Sequence, residues 1–383
     1  MAHCLMVICT LMKRVIQIKL LPTTEQAGAL EETMRRFNAA CNGVAKKAFE
    51  RQLANSYALH KLYYYEVREQ FDLPADIAIL TFAHVAAAYK RDKSKQVSFR
   101  PLAAIPYRKG AFRYKSLTTV NIKTADGKRH DISMVMGDYQ ANQFDQVKQF
   151  AELVRRKDGK WFIMATVEHE PEPPCDTDDF LGVDLGVENL ATDSDGEMHS
   201  GEDVEEVRVK NQTLKQVLQS AADLAANHRR RKRIRKKLKR IADRESRFRR
   251  NTNHVLSKRL VEKAKDTGRG IALEDLKGIR DRIRFRKPQR NRMGSWGFDQ
   301  LRQYIAYKAQ QAGVLLKIVD PKYTSQMCSQ CGHIESGNRS SQSRLCCKQC
   351  GFELHADCNA ARNIRAKALV NEPIVSAYAA AAG

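Results

Sequence analysis

The chain has 383 residues, enough for more than one hydrophobic core. A hydrophobic content of 43% excludes a disordered chain, and the lack of any run of eighteen apolar residues gives no reason to expect a membrane partner. Lys and Arg outnumber Asp and Glu by 67 to 44, a net charge of +23, which points to a phosphate-rich partner.

Residues 1–11 are apolar but lack the basic start and cleavage pattern of a secretory signal, and they read as an upstream extension. Regular structure is expected from Met12. Ile16, Ile18 and Leu20 alternate with Gln17 and Lys19, the pattern of a half-buried strand. Thr23 with Gln26 three residues on predicts a capping box, and Leu30, Met34, Phe37, Cys41 and Val44 then recur at helical spacing. A second helical region spans about 56–91, broken near Leu73-Pro74 because proline disfavours helix in the residue before it. Tyr63, Tyr64 and Tyr65 lie in it, as base-stacking groups or, preferably, as partly buried rings of a helix pair. From Val97 to Val167 short β-rich runs are joined by the turn signals Ala125-Asp126-Gly127 and Lys157-Asp158-Gly159. Glu170 to Asp179, rich in Pro and acid, reads as a linker.

Phe180 to Thr192 predicts strand, turn and strand, closed by Asp193-Ser194-Asp195-Gly196. A long helical segment follows over about 203–266, then a short buried strand at Ile271–Glu274. Phe298 to Gln311 predicts a helix ended by Gly313, Val314 to Val319 a strand, and Asn359 to Ala368 a last helix. The tail from Asn371 is expected to be flexible.

Six of the ten cysteines fall between positions 328 and 358. Cys328-x-x-Cys331 and Cys347-x-x-Cys350, fifteen residues apart, match the paired-knuckle spacing of a closed four-thiolate zinc site. Such pairs in a large basic chain favour metal over disulfides, and so a reducing, cytoplasmic compartment. Cys346 is a bystander beside a ligand. The intervening loop carries Arg339, Ser340, Ser341 and Arg344, which either touch nucleic acid or are solvated.

Three carboxylates share a context. Asp184 sits in a glycine-flanked apolar strand, Glu274 ends an apolar strand, and Asp357 precedes an Ala-rich helix. Each alone has an ordinary explanation: a turn former, a surface carboxylate, a helix N-cap. Together, in a basic chain beside a zinc pattern, they predict oxygen ligands for two divalent ions of the kind that cleave phosphodiesters. Residues 229–250 hold fourteen Lys and Arg against two acids, about half the excess charge of the chain. Arg229, Arg230, Arg231, Lys232, Arg233, Arg235, Lys236, Lys237, Lys239 and Arg240 are the candidate phosphate contacts. Ile234, Leu238, Ile241 and Phe248 mark one apolar face by which this helix is expected to dock. A second basic run, Lys277 to Arg292, adds Arg284 and Arg286.

The order Gly182-Val183-Asp184-Leu185-Gly186, then Leu273-Glu274-Asp275-Leu276, then the two CxxC pairs, then His355-Ala356-Asp357-Cys358-Asn359-Ala360-Ala361-Arg362-Asn363, resembles the TnpB family. These are transposon-encoded, RNA-guided DNA nucleases related to the type V CRISPR effectors. The likeness is specific from about Phe180 to Ala368 and general before that. It implies an α/β RuvC-type, RNase H-like nuclease domain over 180–320 and 352–370. Asp184, Glu274 and Asp357 would be its catalytic ligands for two Mg²⁺ ions. It implies an inserted module at 321–351 with one structural Zn²⁺ on the four cysteines, and an N-terminal wedge β-barrel over 12–32 and 95–170. A helical recognition insertion would occupy 33–94, a linker 171–179 and a flexible tail 371–383. The implied partners are a guide RNA made from the transposon end and a double-stranded DNA target beside a short flanking motif, in a prokaryotic cytoplasm near the nucleoid. Two other readings are weaker: a nuclease-inactive RNA-guided repressor, which tends to lose the acidic trio that is intact here, and a transposase proper.

Overall fold

The computed structural model describes residues 12–276 and 297–370, so Arg284, Arg286 and the rest of the Lys277–Arg292 run lie outside the described residues, as do residues 1–11 and 371–383. The chain divides after Glu170 into two compact units.

In the first unit β1 (Met12–Leu21) leads into α1 (Thr24–Glu50), α2 (Ser56–Phe71) and α3 (Ala75–Arg91). Then come β2 (Ile105–Arg108), β3 (Phe112–Tyr114), β4 (Thr119–Lys123), β5 (Arg129–Val135), the one-turn α4 (Asp138–Ala141), β6 (Val147–Arg155) and β7 (Trp161–His169). On β1 the alternation holds: Ile16, Ile18 and Leu20 are buried while Lys19 is exposed. Thr23 and Gln26 form the reciprocal capping box. From that cap α1 runs unbroken to Glu50, so the expected boundary between 32 and 33 falls inside a helix. The apolar stripe Leu30, Met34, Phe37, Cys41 and Val44 continues across that point, and nothing there interrupts the hydrogen bonding. α2 stops at Asp72, which adopts a left-handed φ of 47°, and Pro74 caps α3, so the proline does mark the break. Of the three tyrosines, Tyr63 is buried and Tyr65 is 81% exposed.

The seven strands form one sheet in the order β2-β6-β7-β1-β5-β4-β3. Edge strands β2 and β3 are joined by only three residues, Lys109 to Ala111. Such a link reaches at most about 14 Å, whereas the edges of a flat seven-stranded sheet stand about 29 Å apart. The sheet must therefore roll up, and its interior joins the α1–α3 face in one core through Ile18, Leu20, Phe37, Phe82, Tyr107 and Ile122.

The second unit holds β8 (Phe180–Asp184), β9 (Asn189–Asp193), β10 (Met198–Ser200), α5 (Glu202–Asp223), α6 (His228–Ile241), α7 (Arg244–Asp266) and β11 (Gly270–Glu274). After these come α8 (Phe298–Gln311), β12 (Leu316–Val319), the small hairpin β13 (Arg344–Cys346) and β14 (Glu353–His355), and α9 (Ala356–Leu369). The sheet order is β10-β9-β8-β11-β12, with β10, β9 and β8 antiparallel and β8, β11 and β12 parallel. Both parallel crossovers run through helices, as parallel strands require. Leu181, Val183, Ile271 and Leu273 pack with Leu256, Leu260, Leu301 and Ile305 of α7 and α8. The alternate residues Phe180 and Ala272 pack with Ile364 and Ala368 of α9. The sheet is thus covered on both faces, which explains the continuously apolar strands. Glu172 and Cys175, in the stretch read as a linker, bond through their backbones to Gln311 and Gly313.

The long helical segment is three helices rather than one. The basic run 229–250 breaks at Ala242-Asp243, where Asp243 leaves helical geometry (φ −95°, ψ 3°) and its carbonyl accepts from Arg247. The expected single docked face is divided accordingly. Ile234, Leu238 and Ile241 on α6 are half-buried, and Phe248 on α7 is 36% exposed.

Candidate functional site

The period of two along a strand places Phe180, Gly182 and Asp184 on one face of β8, and Ala272 and Glu274 on the same face of β11. That face is covered by α9. The closeness of the cover is set by Gly182, where a Cβ would lie 2.1 Å from the Ala361 carbonyl oxygen and 2.6 Å from the Arg365 amide. Only glycine lets helix backbone rest on strand backbone here. At the far end Arg365 grips Asp179 with two bonds of 3.0 Å. α9 therefore runs antiparallel along β8, and its first turn, carrying Asp357, comes to the end of the strand that carries Asp184.

All three sequence-predicted carboxylates come together at this end and stay half-buried. Burial, then the negative charges of Glu274 and Asp357, push the Asp184 carboxyl up to about 8. Glu274 is raised as well, chiefly by burial, against the lowering influence of the nearby Thr324 side chain. Asp357 is held at both oxygens: the Asn189 amide donates to Oδ2 at 2.9 Å, and the Arg339 guanidinium lies 3.6 Å from Oδ1. The His355 ring accepts the Asp357 amide at 3.3 Å and caps the helix. Arg339 also acts on Asp184, lowering its pKa. A half-buried set of hard oxygen donors whose negative charges act on one another fits divalent cations. The carboxylates are not drawn as tightly together as the thiols: among the described residues only the cysteine set places three or more candidate ligand atoms within 4.8 Å of one another.

That set is Cys328, Cys331, Cys347 and Cys350. Sγ separations of 3.8 Å for Cys328–Cys350 and 3.6 Å for Cys331–Cys347 match a zinc tetrahedron, whose edge is about 3.8 Å for bonds of about 2.3 Å. The Cys350 and Gln349 amides aim at the Cys347 sulfur and pull its thiol down to about 6. Cys350 is lowered by the Phe352 amide, yet crowding by Cys331, Cys347 and Cys328 leaves it at about 12. Four such thiols ionise together only around a cation. Cys346 stands outside the set, as expected.

On α6, Arg229, Arg230, Lys232, Arg233, Arg235, Lys236, Lys237, Lys239 and Arg240 are all exposed. Arg231 differs: its guanidinium donates to the carbonyls of Ala222 and Ala225, closing the end of α5 at 3.2 and 3.0 Å. Asn189 and Thr324, which touch the carboxylates directly, carry no sequence signal of their own. Arg339 stood out only as a basic loop residue, and its partner is decided by the fold.

Comparison with known proteins agrees with this division. A family model described as a probable transposase matches residues 163–278, which include Asp184 and Glu274. A Cas12f1-like TNB domain model matches 298–364, which include the four cysteines and Asp357. A putative RNA-guided DNA endonuclease of Escherichia coli, InsQ, is 27% identical over 88% of this chain and 89% of its own length. A TnpB-like protein of Methanocaldococcus jannaschii is 26% identical over 64% of this chain and 89% of its own. Over these stretches the chain resembles the TnpB family. It is also 34% identical, over 65% of its length, to a CRISPR-associated endodeoxyribonuclease Cas12f1 of Sulfoacidibacillus thermotolerans. It spans only about half the length of the CRISPR-associated relatives it matches, 59% of that one and 47% of another. The cryo-EM structure of a Cas12f1–sgRNA–target DNA complex superposes with a TM-score of 0.62 at 15% identity, covering 88% of this chain and 82% of that one. The two share a fold.

Proposed function

We propose that this protein is a transposon-encoded, guide-RNA-directed DNA endonuclease whose catalytic residues are Asp184, Glu274 and Asp357. The observation that carries the reading is their convergence across 173 positions of chain to one half-buried place, where Asp184 feels the charge of both others. The sheet order β10-β9-β8-β11-β12 with a helix across β8 supports a RuvC-type, RNase H-like domain. The rolled sheet of the first unit supports a wedge barrel, and α1–α3 a recognition insertion. Two Mg²⁺ ions held by the three carboxylates would supply an activated water and charge stabilisation at the scissile phosphate. The protein's own part is positional. Rigid strands fix Asp184 and Glu274, Asn189 orients Asp357, and Arg339 offers the site a fixed positive charge. Cys328, Cys331, Cys347 and Cys350 would hold one Zn²⁺, which would brace the module that carries Arg339. Pairing between guide RNA and DNA would choose the target beside a short flanking motif read by the protein. The exposed cations of α6 would hold phosphates without reading bases.

The test is cleavage of a matched duplex by protein purified with its co-expressed RNA. Asp184→Ala is expected to keep RNA and DNA binding and to lose cleavage by about 10³-fold or more. Retained cleavage would sink the assignment of the site. Binding without cleavage by the parent protein would make it a nuclease-inactive repressor.

A further inference from the structure

The motif that carries Asp357 also contains two asparagines with no part in the cleavage chemistry. Asn359 and Asn363 stand one helical turn apart on α9 and are fully buried, at 0% and 1% exposure. They lie on a different side of the helix from the Asp357, Ala361 and Arg365 stripe that follows β8. Asn359 donates to the Met327 carbonyl at 2.8 Å and accepts the Ser329 amide at 2.9 Å. Asn363 donates to the Met327 and Thr324 carbonyls at 2.7 and 2.8 Å. Met327 and Ser329 flank Cys328, the first thiol of the cysteine set. The Thr324 hydroxyl donates to the Pro321 carbonyl at 2.8 Å, and its side chain is near enough to Glu274 to lower that carboxyl's pKa. The backbone that presents Cys328 is thus bolted to the helix of Asp357 and adjoins a partner of Glu274. Buried amides with several bonds each do not yield separately, since leaving such donors and acceptors unpaired is costly.

We propose that Asn359 and Asn363 are positioning residues that couple the cysteine-bound metal to the carboxylate site, so that filling the cysteine site tightens divalent binding by Asp184, Glu274 and Asp357. The coupling rests on the reading of the carboxylates as a divalent-metal site. By linkage it is reciprocal: Mg²⁺ at the carboxylates must strengthen metal binding at the cysteines by the same factor.

The full-length protein is loaded with one equivalent of Zn²⁺ and its Mg²⁺ affinity measured by calorimetry, with Asp184→Ala as the control that removes the carboxylate site. Asn359→Ala/Asn363→Ala is expected to keep its single zinc and bind Mg²⁺ about tenfold or more weakly. With Co²⁺ in the cysteine site, the visible bands of the parent are expected to shift as Mg²⁺ saturates, and those of the double variant to ignore it. A residue that merely supported the fold would not move this signature. Unchanged Mg²⁺ affinity in the zinc-loaded variant overturns the coupling. If the double variant does not fold, Asn359→Asp and Asn363→Asp singly take its place: cobalt bands of the parent indifferent to Mg²⁺ overturn the proposal, as do bands of both single variants that respond as the parent's do. Failure of the parent to bind any Mg²⁺ overturns the site reading itself, a different result from binding that ignores the cysteine metal.

Discussion

Asp184 occupies a position that costs the folded chain stability whenever no cation is nearby. Its carboxyl is pushed up to about 8 by burial and by Glu274 and Asp357, against about 3.9 in an unfolded chain. The folded state therefore binds more protons than the unfolded one between those values, and its stability falls as pH rises through that window. Asn cannot ionise. In Mg²⁺-free buffer Asp184→Asn is expected to melt at the same temperature as the parent near pH 4 and a few degrees higher by pH 8, while losing cleavage. Melting curves that track each other across the window would show that the acid is not strained. Gly182 is the complementary case, where missing bulk rather than charge matters. Gly182→Ala drives a Cβ into the Ala361 carbonyl and the Arg365 amide, both backbone atoms that cannot rotate away. A loss of about 1–3 kcal/mol in denaturant unfolding is expected, together with displacement of Asp357.

Among the elements, α6 separates charge that faces outward from charge that serves the fold. Its exposed cations have few protein partners, so their effect appears in the salt dependence of nucleic-acid binding. Replacing Arg235, Lys236 and Lys239 with Gln is expected to flatten the slope of log K against log salt by about 0.7–0.9 for each phosphate no longer neutralised, without changing the melting temperature. An unchanged slope would remove α6 from the interface. Arg231→Gln is expected to do the reverse. It frees the terminal carbonyls of α5 and lowers stability by about 1 kcal/mol, with little effect on the slope. Charge composition alone treats these residues as equivalent; the break at Ala242-Asp243 and the packing of α6 on α5 distinguish them.

At the scale of the whole molecule, each unit has its own core, one built on the rolled sheet and α1–α3, the other on the two faces of the five-stranded sheet. The four-cysteine set, with any metal it holds, belongs to the second alone. Stripping that metal with a chelator is expected to raise hydrogen exchange over 321–369, including α9, while protection in β1, β5 and β7 of the first unit persists. Exchange rising equally in both units would mean that the metal holds the chain together more broadly.

Local chemistry was enough to determine much of this protein. The cap at Thr23, the proline break before α3, the knuckle spacing of the cysteines and the acids set on apolar strands all depend on neighbours in sequence, and those signals are short-range. The shared context that singles out Asp184, Glu274 and Asp357 was legible for the same reason. What only the tertiary structure decided is which distant groups meet. Asn189 finds Asp357 across 168 positions, Arg339 turns from a loop cation into a partner of that carboxylate, and Asn359 and Asn363 reach back to the knuckle. Such meetings depend on a glycine that lets α9 settle onto β8 and on a helix face chosen by packing, and neither is encoded by any one segment of the chain.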